Sequence, residues 1–287
     1  MQKVHYLLTR FNLNFSFWFD FDKNGKKVLT DEWLENRFEL FDIYCFPSVK
    51  AQTNQNFIWL VLFDEATPEK YKERIADYKE YKNFCPLIIN RDGYWIDVIR
   101  SKINSDNPSV EYVITTRLDN DDAIHCRMIE EVQLRFEKQM DVFLNFEYGL
   151  QYDVINKVLV KCMYKKNHFI SRIEKNNKFV MTVISIDHSQ IESAAKIINV
   201  VLKYPLWIEL VHTSNVSNFI KISKPFFQKT IFNQFGFTSD IDLSLSIKSY
   251  CLKFMKVSIY VFFEKIATKL GLYDVYKNLI RLFKSND

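Results

Sequence analysis

Apolar positions in the first part of the chain fall in short continuous runs separated by segments of helical period. Val4 to Thr9, Phe57 to Phe63, Pro86 to Asn90 and Tyr112 to Thr116 are apolar or β-branched, as expected of core strands. Trp33, Leu34, Phe38, Leu40 and Phe41 are spaced for one buried helix face, with Asp31 placed to cap its start and Pro47 marking its end. Thr67-Pro68-Glu69 opens a second helix, with threonine as cap and proline in the first turn. Asp97 to Lys102 belongs to a third helix, after the 86–90 strand. This alternation predicts βαβ units and a mainly parallel sheet.

Past Thr116 the rhythm changes. A helix-forming segment runs from near Ala123 to Lys138, and Val142 to Phe146, Val158 to Tyr164, Phe169 to Ile173 and Val180 to Ile184 read as consecutive strands. Lys165-Lys166-Asn167 and Lys175-Asn176-Asn177 are the turns between them. Ser189 to Lys203 reads as a helix, and Leu206 to Val211 as a strand that delivers His212 into the polar loop Thr213 to Asn218. A mixed sheet with an antiparallel extension fits this order. Asp20 to Gly25, with Asp31, mimics a calcium-binding loop. It reads instead as a polar turn, because the twelfth position is not Glu, Phe15 to Phe19 looks like strand and no second hand follows.

Where the Tyr112 run ends, Asp119, Asp121 and Asp122 fall within four positions. Carboxylates this close repel one another, and a bound cation offsets the repulsion. At the carboxyl end of an α/β strand, where ligands bind, the cluster points to Mg²⁺ or Mn²⁺ shared with a phosphate-bearing substrate. The competing reading has Asp119 and Asp121 capping the helix that follows. His212 closes a strand as the acidic cluster does, and serves either as a ligand to the same metal or as a structural hydrogen-bonding residue. Arg10, just past the first strand, meets a phosphate or a base edge, or is a plain surface cation.

With 287 residues, 48% of them hydrophobic and 26 of them Phe, the chain suffices for one large domain with an appendage. Only 5 Gly are present, so no glycine-rich phosphate loop can be read and nucleotide phosphates are left to a metal. Cys45, Cys85, Cys126, Cys162 and Cys251 are scattered and odd in number, which fits reduced thiols in a cytosol and neither a disulfide framework nor a zinc site. Met1 to Tyr6 lacks the long apolar core of a signal peptide, so export is not expected.

Charge divides the chain into an expected main domain, residues 1–235, and a basic helical tail, residues 236–287. The net charge is +4, yet Lys248 to Asp287 holds seven Lys and one Arg against Glu264, Asp274 and Asp287, a net of +5 that leaves the rest near −1. In the tail Leu252, Phe254, Met255, Ile259, Phe262, Phe263 and Ile266 form a wide apolar surface. Gly271 reads as a stop, and Asp274 as the cap of a second amphipathic helix. Two readings fit: helices lying at a membrane interface, or helices packed on the main domain. The lysines are interleaved with aliphatics, which argues against nucleic acid.

Arg117 to Asp122 and the late His212 resemble the DxD glycosyltransferases of the GT-A fold. More narrowly, His5 to Asn12, Arg37 to Phe41 with Pro47 to Thr53, Trp59 to Asp64, Thr116 to Ala123 and Val211 to Asn218 resemble the family of putative rhamnosyl transferases of bacterial polysaccharide synthesis. The resemblance implies a GT-A-like, Rossmann-like α/β fold, with a mixed central sheet flanked by helices. It also implies a nucleotide-sugar donor held through Mn²⁺ or Mg²⁺, and a glycan or lipid-linked glycan acceptor. On that resemblance Asp121 and His212 ligate the metal, with Asp122 able to replace Asp121, while Asp119, Arg10 and Arg117 lie near the nucleotide or donor sugar. An inverting enzyme also needs a carboxylate base, for which Asp187 and Glu209 are the candidates. A cation-dependent carbohydrate-binding module and a metal-dependent phosphoesterase are the alternatives.

Overall fold

The computed structural model describes residues 2–13, 21–90, 94–186, 190–215, 220, 223–270 and 272–273. Strands β1 (Lys3–Arg10), β2 (Ile58–Asp64), β3 (Phe84–Ile89) and β4 (Tyr112–Arg117) form where the apolar runs predict them. They pair in parallel, with β1 between β2 and β4. Helices α1 (Asp31–Leu40), α2 (Phe46–Lys50), α3 (Glu69–Asp77) and α4 (Trp95–Asp106) supply the crossovers. Phe38, Phe41 and Tyr71 pack with Leu7, Trp59 and Phe63 on one face of the sheet, while Ile96, Ile99 and Ile103 pack with Tyr6, Leu8 and Leu60 on the other. Both faces of β1, β2 and β4 are thus covered, which is why these strands read as continuously apolar, while β3 at the sheet edge leaves Ile88 exposed.

Two helix starts differ from expectation. Thr30, not Asp31, caps α1, its hydroxyl accepting from Trp33 N at 3.2 Å. Thr67 turns its hydroxyl back to Asp64 O at 2.6 Å, so α3 begins after Pro68 without a side-chain cap. Pro47 does not end the first helical stretch either. The chain passes from α1 through a π turn, Phe41–Cys45, into α2, with proline in its first turn.

Beyond β4 lie the larger departures. The predicted helix from 123 to 138 is a short strand β5 (Ala123–Ile124) followed by α5 (Met128–Leu134). Ala123 and Ile124 are claimed by antiparallel pairing to Ile208 and Trp207, which withdraws their backbone from the helix. Strands β6 (Asp141–Phe146), β7 (Tyr148–Asp153), β8 (Val158–Met163) and β9 (Ser171–Lys175) follow. The local pattern predicts no element over β7. Gly149 there is required by packing: a Cβ would lie 2.0 Å from the Trp207 indole.

Val180 to Ile184 is a turn rather than a strand. The Glu174 carboxylate accepts from Met181 N and Thr182 N, both at 2.9 Å, and Thr182 adopts φ +62. The predicted helix from 189 to 203 is reduced to α6 (Ile191–Ala194), and β10 (Lys196–Val200) pairs in parallel with β6. The last strand, β11 (Trp207–Val211), forms as predicted.

The main sheet has the order β10-β6-β9-β4-β1-β2-β3, in which β9 alone runs antiparallel to its neighbours. A second sheet has the order β5-β11-β7-β8. This is the expected mixed α/β architecture. In the tail one helix, α7 (Leu243–Lys269), starts at Asp242, whose carboxylate accepts from Ser244 N and Leu245 N at 2.8 and 3.0 Å. The second tail helix and the Phe15 to Phe19 strand lie outside the described residues. The Asp22 carboxylate accepts from Asn24 N and Lys26 N at 2.8 and 2.9 Å, which makes this stretch a polar turn. No helix among the described residues is long and apolar enough to cross a membrane.

Candidate active site

From β1 the strand order runs through β2 and β3 in one direction and through β4 and β9 in the other, so the connections diverge between β1 and β4. A crevice opens at the carboxyl ends of strands where order reverses in this way. Arg10 ends β1, Arg117 ends β4, and the acidic cluster follows directly. Leu118 N still bonds Leu8 O at 3.1 Å, so the ladder holds to the edge of the cluster.

The three aspartates take different partners. Arg117 grips Asp119 through two bonds, Nε to Oδ1 at 3.0 Å and a terminal nitrogen to Oδ2 at 2.8 Å. Burial pushes the Asp119 carboxyl up, but Arg117, His168 and Arg10 outweigh it and hold the group well below the usual carboxylate range. Asp119 is therefore a fixed anion.

Asp121 is buried and tied off. Its Oδ2 takes the Arg37 guanidinium, His212 Nε2 at 2.8 Å and Asn215 Nδ2 at 3.3 Å. Burial raises this carboxyl, and Arg37 and His212 more than reverse it, to about 2. Arg37 also reaches Asn120 Oδ1 and Ser214 O, at 3.3 and 3.0 Å, so one side chain from α1 joins the acidic cluster to the loop after β11. Asn215 Oδ1 accepts from His212 N at 2.6 Å, which fixes the histidine's own turn.

Asp122 is the most buried of the three, at 2% exposure. Its Oδ1 accepts from Leu210 N at 2.8 Å and its Oδ2 meets His168 Nε2 at 2.8 Å. Burial, with Asp121 and Asp119 close by, pushes the Asp122 carboxyl up to about 7 despite the bond to His168. Burial lowers His168, but Asp122 outweighs it and the imidazole ends above its ordinary value. The pair thus holds a proton near neutrality.

Asp119, Asp122 and His168 can each present one ligand atom, and these atoms all lie within 4.8 Å of one another. Two carboxylates and an imidazole form a donor set that suits Mn²⁺, and Mg²⁺ less fully because of the nitrogen. Asp121 and His212, the expected ligand pair, are also brought together, but on an oxygen already engaged by Arg37 and Asn215. Arg10 and Arg117 end β1 and β4 close to Asp119, whose carboxyl both of them lower. Glu209 accepts from Gln151 Nε2 at 2.8 Å inside the second sheet. Asp187 lies outside the described residues. A cleft of about 130 Å³ lined by Lys3, His5, Gln55 and Gln133 lies at the opposite end of β1 and takes no part in the cluster.

His168 and Arg37 carry no role in the sequence reading. His168 follows a polar turn between two strands, and nothing local distinguishes it from a surface histidine. Arg37 sits on a helix between Glu35 and Glu39, each two positions away, in a block that carries only the family resemblance.

The family model described as "Putative rhamnosyl transferase" matches residues 6–224. No curated protein matches the chain in sequence. Among solved structures, the chain is similar to S. aureus TarS 1–349, at 10% identity and TM-score 0.40, covering 73% of this chain and 60% of that one. A putative nucleotide-diphospho-sugar transferase from Desulfovibrio desulfuricans G20 matches at 5% identity and TM-score 0.38, covering 75% of this chain and 84% of that one. A putative glucose-1-phosphate thymidylyltransferase from Bacillus anthracis, in complex with a sucrose, matches at 8% identity and TM-score 0.33, covering 71% and 88%.

Proposed function

The chain belongs to the putative rhamnosyl transferase family, and from that premise we propose that it moves a sugar, rhamnose in the first instance, from a nucleotide-sugar donor to a glycan or lipid-linked glycan acceptor in bacterial polysaccharide synthesis. The fold is read as GT-A-like, and residues 1–235 as the transferase domain. The observation that carries the proposal is the convergence of Asp119, Asp122 and His168 at the divergence of β1 and β4.

These three side chains would hold the divalent cation, Mn²⁺ before Mg²⁺. Bound there, the cation supplies Lewis-acid stabilisation of the charge that builds on the departing nucleoside diphosphate. Arg10 and Arg117 add fixed positive charge close to Asp119, and Arg117 keeps that carboxylate ionised and oriented. To serve as a ligand, His168 would have to give up the proton it shares with Asp122. Asp121 is assigned a positioning role, since its bonds to Arg37, His212 and Asn215 tie α1 and the 212–215 turn to the cluster. His212 shares that role, holding the 212–215 turn against the cluster. Glu209 is committed to Gln151, which leaves Asp187 as the base we propose for the acceptor hydroxyl.

Thermal-shift measurement with nucleoside diphosphates and nucleotide-sugars, in Mn²⁺ and in chelator, tests this reading. A nucleotide-dependent rise in melting temperature should require Mn²⁺, vanish in Asp119→Asn and His168→Ala, and persist in Asp121→Asn. Loss of the metal-dependent rise in Asp121→Asn, with its retention in the other two, would transfer the metal to Asp121 and His212.

A further inference from the structure

Helix α7 spans 27 residues, roughly 40 Å, and presents a surface that the described body leaves uncovered. Leu252, Met255, Ile259, Phe262, Phe263 and Ile266 recur at helical spacing and share one side, with Phe262 60% and Phe263 54% exposed. The body meets the helix near its start, where Leu159 N donates to the Ser246 hydroxyl at 3.3 Å. Ala267, near its end, is buried too. A contiguous apolar face of this size is a docking surface. Burial by spanning a bilayer does not apply, because the helix is not apolar enough to cross one.

Charge selects the occupant. Leu243–Lys269 carries five Lys against Glu264 alone, and Lys248, Lys265 and Lys269 are exposed. All of the chain's net positive charge lies in this terminal segment. A second copy seated on the face would bring lysines against lysines, whereas anionic headgroups neutralise them. We infer that α7 docks the protein on an anionic lipid surface, with the Leu252-to-Ile266 side in the acyl boundary and the lysine heads among the headgroup phosphates. The inference stands apart from the transferase reading, and so does its test.

Co-sedimentation of the full chain with vesicles decides it. Binding is expected to vesicles mixing phosphatidylglycerol with phosphatidylcholine, and to fall at least about tenfold on phosphatidylcholine alone or when salt is raised to about 0.5 M. Phe262→Asp with Phe263→Asp should abolish binding. Lys248→Glu, Lys265→Glu and Lys269→Glu together should lower it about tenfold with the apolar face intact. These positions are exposed, and unchanged melting temperatures confirm that the variants are folded. Equal binding to both lipids would overturn the inference. So would absence of vesicle binding with a dimer in sedimentation equilibrium that the Phe substitutions break, which would make a second copy the occupant.

Discussion

Arg37→Met tests whether the Asp121 knot is a positioning device built on a buried ion pair. Arg37 and Asp121 are 5% and 7% exposed, and the pair is met by His212, Asn215, Asn120 and Ser214. A carboxyl held at about 2 against an ordinary 3.8 contributes roughly 2 kcal/mol at neutral pH. Removing one partner of a buried pair costs about 3–5 kcal/mol, because the stranded charge stays buried. The larger figure applies here, since the bonds from His212 and Asn215 only partly replace a guanidinium. In a chain of this length the loss corresponds to a fall in melting temperature of roughly 6–20 °C. A depressed carboxyl stabilises above its unfolded value and loses that contribution as pH falls toward its folded one. The deficit of Arg37→Met should therefore be full at neutral pH and shrink as pH falls below about 4, where Asp121 takes up a proton. Asp121→Asn in the same background should restore part of the stability, giving a coupling of a few kcal/mol in the double-mutant cycle. A loss of less than about 1 kcal/mol, or one independent of pH, would refute the buried pair as the anchor of this loop.

Gly149→Ala should destabilise by more than about 1–3 kcal/mol in thermal melts, because its Cβ would fall 2.0–2.3 Å from three atoms of the Trp207 indole. In chelator, stability should decline as pH rises from about 4 to 7, since the raised carboxyl of Asp122 favours the protonated native state, and the raised imidazole of His168 extends the decline above about 6.5. Melting curves of Asp122→Asn across that range should lose most of the slope. Asp119→Asn should reduce glycosyl transfer by roughly 10²-fold or more. Its melting temperature should fall as well, because a carboxyl held well below its ordinary range by Arg117 contributes stability at neutral pH that the amide forfeits.

The sequence by itself determined the first half of the fold and the place of the cluster. Parallel strands covered on both faces must be continuously apolar, so β1, β2 and β4 announce themselves, and three carboxylates follow directly on β4. The second half was decided by contacts remote in sequence. Ala123 and Ile124 carry no local bias against helix, and β11 makes them strand. Lys196 to Val200 has helical company, and the open edge of β6 draws it into the sheet. Nothing next to Gly149 in sequence signals the Trp207 indole packed against it.

The division of labour among the aspartates belongs to tertiary structure as well. Spacing alone makes Asp119, Asp121 and Asp122 equivalent candidates. Arg37 on a distant helix and His168 after a distant turn give them different charges, because a buried carboxylate's state is set by whatever lies within a few ångströms of it. Residues separated by 84 and 46 positions supply those neighbours, and no local pattern records such a meeting.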